Sequence, residues 1–293
     1  MSKKRTKTPI VAVLNMKGGV GKTTIAGNLF REIFRTKEIK TLLIDLDAQF
    51  NLTQLLMTRT KYERLSNKNK TIFSVFQHSV PDTVFAVSED YLLEVQPVKE
   101  LVTTLKYISS DNDIKLQLLP GDFQLAMLNL KERAELRIPK KRFKKFIEQA
   151  KSDYQLIVID CNPSTSFLTG CAIEVASNIL IPVRSDKYSV LGVEMVYEYA
   201  EIHLGLGLIP DIKILLNDVQ QDGELLKVAT QLKAHPTFGP NVLVNELKHS
   251  ELLRAKSDYT GFAPDQKVPY RETVRNNLVE IAKEYADHLL LGV

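Results

Sequence analysis

Short apolar runs rich in Ile, Val and Leu recur along the chain, at residues 10–14, 41–44, 115–119, 155–159, 179–183, 212–216 and 241–244. Runs of this length without polar alternation are what strands buried on both faces look like, as in a parallel sheet. The longer stretches between them place apolar residues at helical spacing and predict helices over 23–36, 122–135, 140–151, 166–177, 190–204, 224–234 and 273–290. Strands alternating with helices imply right-handed crossovers. The expected fold is therefore α/β, a doubly wound, mostly parallel sheet with helices on both faces.

Two polar stretches interrupt the alternation, 58–70 and 109–113, and both read as exposed loops. Between them, residues 71–108 are apolar but weakly periodic, compatible with short helices and a strand. No Pro/Gly/Ser-rich linker sets this region apart, so 58–113 reads as an elaboration of a single domain over residues 1–293, preceded by a basic arm at 1–8.

Composition adds bounds. With 44% hydrophobic and 25% charged residues in 293, the chain can bury a sizeable core and is neither disordered nor collagen-like. No run approaches the roughly 18 apolar residues of a membrane span, and no apolar segment follows the N-terminal lysines, which points to a cytoplasmic protein. Cys161 and Cys171 are too few for a disulfide framework and lack CxxC spacing; they read as small buried side chains, or as half of a cluster ligand set in a dimer. The net charge of +4 is unevenly placed: residues 131–151 hold nine Lys/Arg against three Glu.

The first apolar run leads into Asn15-Met16-Lys17-Gly18-Gly19-Val20-Gly21-Lys22-Thr23-Thr24 and then a helix pattern. Strand, glycine-rich turn and helix N-terminus together make an anion cradle, because glycines let backbone N–H groups close round phosphates and the helix dipole adds positive potential. Lys22 is placed to neutralise β- and γ-phosphate charge, and the Thr23 hydroxyl to coordinate Mg²⁺. This is a P-loop with one departure: Met16 stands where the common pattern has its first glycine, and an extra lysine, Lys17, opens the loop. A lysine ahead of the glycines is either a solvated charge or a second phosphate contact; it points away from its own phosphate pocket, which invites a contact to a second nucleotide across a dimer.

Two further apolar runs end in acids, one in Asp45-Leu46-Asp47 and one in Asp160-Cys161-Asn162. Ligands of doubly wound sheets bind at the C-terminal ends of the strands, and an acid there can hold Mg²⁺, usually through water, beside a P-loop. Asp160 and Asp45 are the candidates for metal, and Asp47 for orienting the water that attacks in phosphoryl transfer. Each acid has an ordinary alternative as a helix N-cap.

With Lys17 to Thr24, the run Asp45-Leu46-Asp47-Ala48-Gln49-Phe50-Asn51, and Ile159-Asp160-Cys161-Asn162-Pro163-Ser164, the chain resembles the ParA/MinD family of deviant Walker A ATPases, most of all the ParA branch that partitions DNA. Further matches lie at 118–122, 181–183, 189–192 and 215–217. The resemblance implies two subunits sandwiching two ATP molecules, with Lys17 of each reaching the other's nucleotide and hydrolysis reopening the dimer. It also implies Asp47 as the water-activating acid, Asp160 as the Walker B acid, Asn217 beside the adenine, and a ParB-like or other adaptor that stimulates hydrolysis. Ala48 departs from the family's usual proline, and Asn162-Pro163-Ser164 varies its Pro-rich switch.

The segment Lys140-Lys141-Arg142-Phe143-Lys144-Lys145-Phe146 suggests what the ATPase acts on. As a helix it lines up Phe143, Phe146, Ile147 and Ala150 toward a core and leaves Lys141, Arg142, Lys144 and Lys145, with Lys140 beside them, outside. That is either a solvated face or a footprint for non-specific double-stranded DNA, doubled on dimerisation and giving nucleoid association in the ATP state. A MinD-like membrane-positioning ATPase is the main rival, but the final helix shows core spacing at Val274, Leu278, Ile281, Ala282, Tyr285 and Leu289 and has no basic face after Lys283. A metabolic P-loop enzyme would need cluster cysteines or a second substrate site.

Overall fold

The computed structural model describes residues 7–77, 89–109, 113–184, 189–205, 209–219, 223–254 and 258–291. Its strands are β1 (Ile10–Val13), β2 (Thr41–Asp45), β3 (Thr103–Ser109), β4 (Ile114–Leu119), β5 (Leu156–Asp160), β6 (Asn178–Arg184), β7 (Asp211–Val219) and β8 (Leu247–Lys248). They form one sheet in the order β3-β4-β2-β5-β1-β6-β7-β8, antiparallel only between β3 and β4. The α/β, doubly wound expectation therefore holds. Chain order reverses around β1, so the crevice at the C-terminal ends of β1, β2 and β5 is where such a sheet takes its ligand.

Successive residues of the central strands feed opposite layers, which is why their sequences show no polar alternation. Ile10, Ala12, Ile157 and Ile159 pack beneath the basic helix, Arg137–Asp153, and the helix Phe167–Val175. Val11, Val13 and Val158 pack against α1 (Lys22–Lys37) and the C-terminal helix, Arg271–His288. Phe143 and Phe146 lie wholly inside the first layer and Tyr285 inside the second; each of the two phenylalanines contributes about 1.5–3 kcal/mol. Among the described residues, no helix is long and apolar enough to cross a membrane. Cys161 and Cys171 are both buried and free, the ordinary core reading, with burial raising both thiols, Cys171 to about 12.

Five expectations need correction or limits. Residues 58–70 are not simply a loop: α2 (Asn51–Leu56) is followed by α3 (Arg59–Ser66), a helix with no buried residue. Its apolar stripe is absent, so periodicity could not find it; Arg59 pairs with Glu63 one turn on at 2.7 Å, and Tyr62 stacks on Phe50 with ring centroids 5.0 Å apart. The helix expected over 122–135 is a 3₁₀ segment, Phe123–Leu130, in which Leu125 and Leu128 point inward three residues apart while Phe123, Met127 and Leu130 stay exposed. The strand expected over 241–244 is reduced to one bridge between Val242 and Ile214, and the sheet edge is taken by β8. The basic arm falls almost entirely outside the described residues, as do residues 110–112 of the second expected loop.

Candidate nucleotide and metal site

The P-loop lies between β1 and α1. Gly19 and Gly21 take φ of 74° and 90°, and a Cβ on Gly21 would collide with the Asn217 amide, so this turn needs glycine for both conformation and space. Gly21 caps α1 without a side-chain bond, and the first turn of α1 carries no acid, which leaves its N–H donors available to an anion. Gly18 and Gly19 are exposed, with open space where side chains would stand. Val20 is buried and pins the loop from beneath.

Lys22 is buried, its Nζ donating to the carbonyls of Asn15 at 3.1 Å and Lys17 at 2.9 Å. Burial pulls the ammonium below its ordinary pKa, against the opposing pull of Asp160 and Asp47. A phosphate would give the ammonium a charged acceptor in place of the two carbonyls. Thr23 Oγ1 donates to Asp160 Oδ2 at 2.8 Å. Asp160 is 1% exposed and its other oxygen, Oδ1, is buried with no hydrogen-bond partner. Burial, then the nearby Asp45, push its carboxyl well above the usual range. An orphaned buried carboxylate oxygen beside a threonine hydroxyl fits a divalent cation. No cluster of three or more His, Cys, Asp or Glu stands ready among the described residues, so a cation here would rely on phosphate and water for its remaining ligands.

Asp45 behaves differently from Asp160, although the two are register partners on β2 and β5. Its Oδ2 accepts from both the amide and the hydroxyl of Thr53, each at 2.7 Å, and its Oδ1 faces the Asp47 amide at 3.4 Å. Burial raises its carboxyl to about 7 against the lowering effect of the Thr53 bonds. Asp47 stands in the turn after β2, nearly buried, with Oδ1 accepting from the Gln49 amide at 2.9 Å and its carbonyl from the Phe50 amide at 2.8 Å. Lys17 is half-buried, its amide donating to Asn15 Oδ1 at 2.9 Å. Thr24 faces a cavity of about 260 Å³ that Gly19, Gly21 and Asn217 also line.

Asn217 does reach the P-loop, donating to the Val20 carbonyl at 2.7 Å. The cavity beside it continues over Arg184, Lys248, Ser250 and Arg254. Arg184 ends β6, Lys248 ends β8, and Ser250 and Arg254 follow it; they carry no motif, so only folding brings them together. Asn15 was also missed: its side chain donates to the Pro182 carbonyl at 2.8 Å and braces the loop against β6.

The basic helix separates into two groups. Phe143, Phe146, Ile147 and Ala150 are buried as expected, and Lys141, Lys144 and Lys145 are exposed, with Lys140 half-buried. Arg142 is not on the outside: it is 3% exposed, and its guanidinium donates to the carbonyls of Ser74, Val75, Gln77, Leu92 and Glu94. Helical spacing put it beside Lys141, but five inward carbonyls claim its fork. Lys140 and Lys144 both pair with Glu174, the latter at 2.7 Å, and Lys141 pairs with Glu89 at 2.5 Å.

Comparison with known proteins follows the same lines. A family model described as an AAA domain (AAA_31) matches residues 8–204, more than half of the chain. The chain is 29% identical over 209 residues to the chromosome partitioning protein ParA of Myxococcus xanthus, covering 70% of this chain and 62% of that one. It is 26% identical over 240 residues to the sporulation initiation inhibitor protein Soj of Bacillus subtilis, covering 82% and 79%. A McdA variant from Cyanothece in complex with ATP shares the fold at a TM-score of 0.66 and 17% identity, with 98% of each chain covered. With the P-loop, the strand-end acids and these relatives together, the chain belongs to the AAA_31 family of AAA domains and is a P-loop ATPase of the ParA/MinD kind.

Proposed function

We propose that this protein is a ParA-type ATPase that binds Mg²⁺-ATP, dimerises around it, binds DNA non-specifically in that state, and hydrolyses ATP to position a plasmid, chromosome or other cargo. The observation that carries the chemistry is the Thr23–Asp160 hydrogen bond with the orphaned Asp160 Oδ1 beside it, next to Lys22 and the open glycines. Thr23 and Asp160 are assigned to the cation, Asp160 through water; Asp45, whose oxygens are taken by Thr53 and the Asp47 amide, is not. When bound, magnesium draws charge off the β- and γ-phosphates.

Lys22 exchanges its carbonyl partners for phosphate oxygens and holds the terminal phosphate in place. Asp47 orients a water for in-line attack on the γ-phosphorus, which yields ADP and phosphate. Lys17 reaches the partner subunit's nucleotide, so each site is complete only in the dimer. Lys140, Lys141, Lys144 and Lys145 are assigned to DNA phosphates, and Arg142, buried on backbone carbonyls, is removed from that set. Hydrolysis separates the subunits, halves the footprint and releases DNA; a ParB-like or other adaptor that accelerates this step fits the same cycle. Cytoplasmic placement with nucleoid association in the ATP state follows.

The test is binding to random-sequence duplex DNA with no nucleotide, ADP or ATP, each at two salt concentrations. ATP-dependent binding that weakens steeply with salt is expected. An ATP dimer with no affinity for DNA would overturn the DNA assignment and favour a protein or membrane cargo.

A further inference from the structure

The loop that carries Asp47 is closed by an unusual pair. Residues 46–52 run from the end of β2 into α2, whose first residues need a cap. The residue in the N-cap position is Phe50, with φ of 41° and no side chain able to accept a hydrogen bond. The cap comes instead from Asp45, eight residues before Thr53, whose Oδ2 takes the Thr53 amide and hydroxyl at 2.7 Å each. Using a strand residue as the cap bolts the first turn of α2 to the end of β2 and fixes the span of the loop between them.

The Thr53 hydroxyl has a second role. Its oxygen accepts from the Gly121 amide at 2.8 Å, just beyond β4. Gly121 lies so close that a Cβ there would stand 2.6 Å from Phe50 Cβ and 2.8 Å from Asp45 Cγ. Thr53 is 1% exposed and has both its hydroxyl proton and an oxygen lone pair committed. From the far side, Tyr62 of α3 stacks on Phe50 at an interplanar angle of 12°. The loop is held between the ends of two neighbouring strands and an aromatic platform, and Asp47 is its inward-facing acid.

We infer that Thr53 is a positioning residue for ATP hydrolysis, its hydroxyl linking Asp45 to Gly121 so that the loop carrying Asp47 is set relative to β2 and β4. The inference rests on the reading of Asp47 as the acid that orients water. Thr53 is bonded to Asp45 and Gly121, and it acts through the placement of Asp47.

Thr53→Val keeps the shape and amide and removes only the hydroxyl. Hydrolysis of Mg²⁺-ATP under single-turnover conditions, affinity for a fluorescent ADP analogue, and thermal melting are measured for wild type, Thr53→Val, Thr53→Ser and Asp47→Ala. The expected result is a rate lowered about 10- to 100-fold in the valine variant, nucleotide affinity within about twofold of wild type, and recovery of most of the rate in the serine variant. A valine variant with wild-type turnover, beside an inactive Asp47→Ala, overturns the role of Thr53 alone. An active Asp47→Ala overturns the underlying reading of Asp47. Equal loss of rate and of nucleotide affinity, or a serine variant as slow as valine, marks a general packing role and also overturns it. If the valine variant does not fold, Thr53→Cys, a weaker donor at the same place, replaces it: a reduced rate in a normally melting protein supports the relay, and an unchanged rate refutes it.

Discussion

At the scale of single residues, burial decides what a charge is for. Lys22 and Arg142 are both buried cations, yet one rests on two carbonyls at the mouth of an anion cradle and the other is saturated by five carbonyls inside the protein. The first is held below its ordinary pKa by burial, and a phosphate would offset that cost. Lys22→Ala is therefore expected to lower nucleotide affinity by a factor of about 100 or more while leaving the melting temperature of the ligand-free protein unchanged or higher, because a desolvated charge is removed. Unchanged affinity in calorimetry would refute the P-loop role. Arg142→Met is expected to do the reverse, costing about 3 kcal/mol or more of stability in urea denaturation because buried carbonyls lose their donors. A loss below about 1 kcal/mol would show that the carbonyls find other partners.

At the scale of elements, the basic helix Arg137–Asp153 is partly neutralised by its neighbours. Glu174, on the helix Phe167–Val175, draws in both Lys140 and Lys144; burial works to raise its carboxyl, but the two lysine hydrogen bonds win and hold it below its ordinary value. If the exposed lysines bind DNA phosphates, Lys141→Glu with Lys145→Glu should weaken ATP-dependent DNA binding and lower the salt slope by about 1 per lysine. Glu174→Gln should act in the opposite sense, freeing Lys140 and Lys144 and steepening the slope, with stability changed by about 1 kcal/mol or less because Lys144 is exposed and Lys140 only half-buried. DNA titrations at several salt concentrations separate the two; slopes that do not move in either variant would leave this face a solvated one.

At the scale of the whole molecule, the sheet brings strand ends from widely separated parts of the chain to one edge, and that edge is open. The P-loop, the Asp47 turn and Asp160 all emerge there, with Gly18 and Gly19 exposed between them. On the proposed reading, a nucleotide on this edge would present its outer face to solvent until a second copy covers it. In an Asp47→Ala background, which on the proposed reading keeps ATP intact, sedimentation is expected to show a dimer with ATP and a monomer with ADP. Adding Lys17→Ala should return the ATP form to monomer and abolish DNA binding with it; an undiminished dimer would refute the cross-subunit contact.

The sequence by itself determined whatever depends on neighbours along the chain. The strands β1, β2, β5, β6 and β7 were legible because buried parallel strands need uninterrupted apolar runs, and the P-loop because strand, glycines, Lys22 and Thr23 must follow one another to make the cradle. The acids Asp45, Asp47 and Asp160 were legible at or just past the strand ends, Asp47 as the acid for water and the other two alike as metal candidates, but the difference between Asp45 and Asp160 was not. Only the tertiary structure decided that Asp160 keeps an unpartnered oxygen while Asp45 is consumed by Thr53, since that depends on which side chains face the carboxylates across the sheet. It also decided that Arg142 turns inward, that α3 forms with no apolar stripe to announce it, and that Arg184, Lys248 and Arg254 meet beside the P-loop. Local pattern reports which face of an element is buried; the partners that face it are set by packing between residues far apart in the chain, and no local period records them.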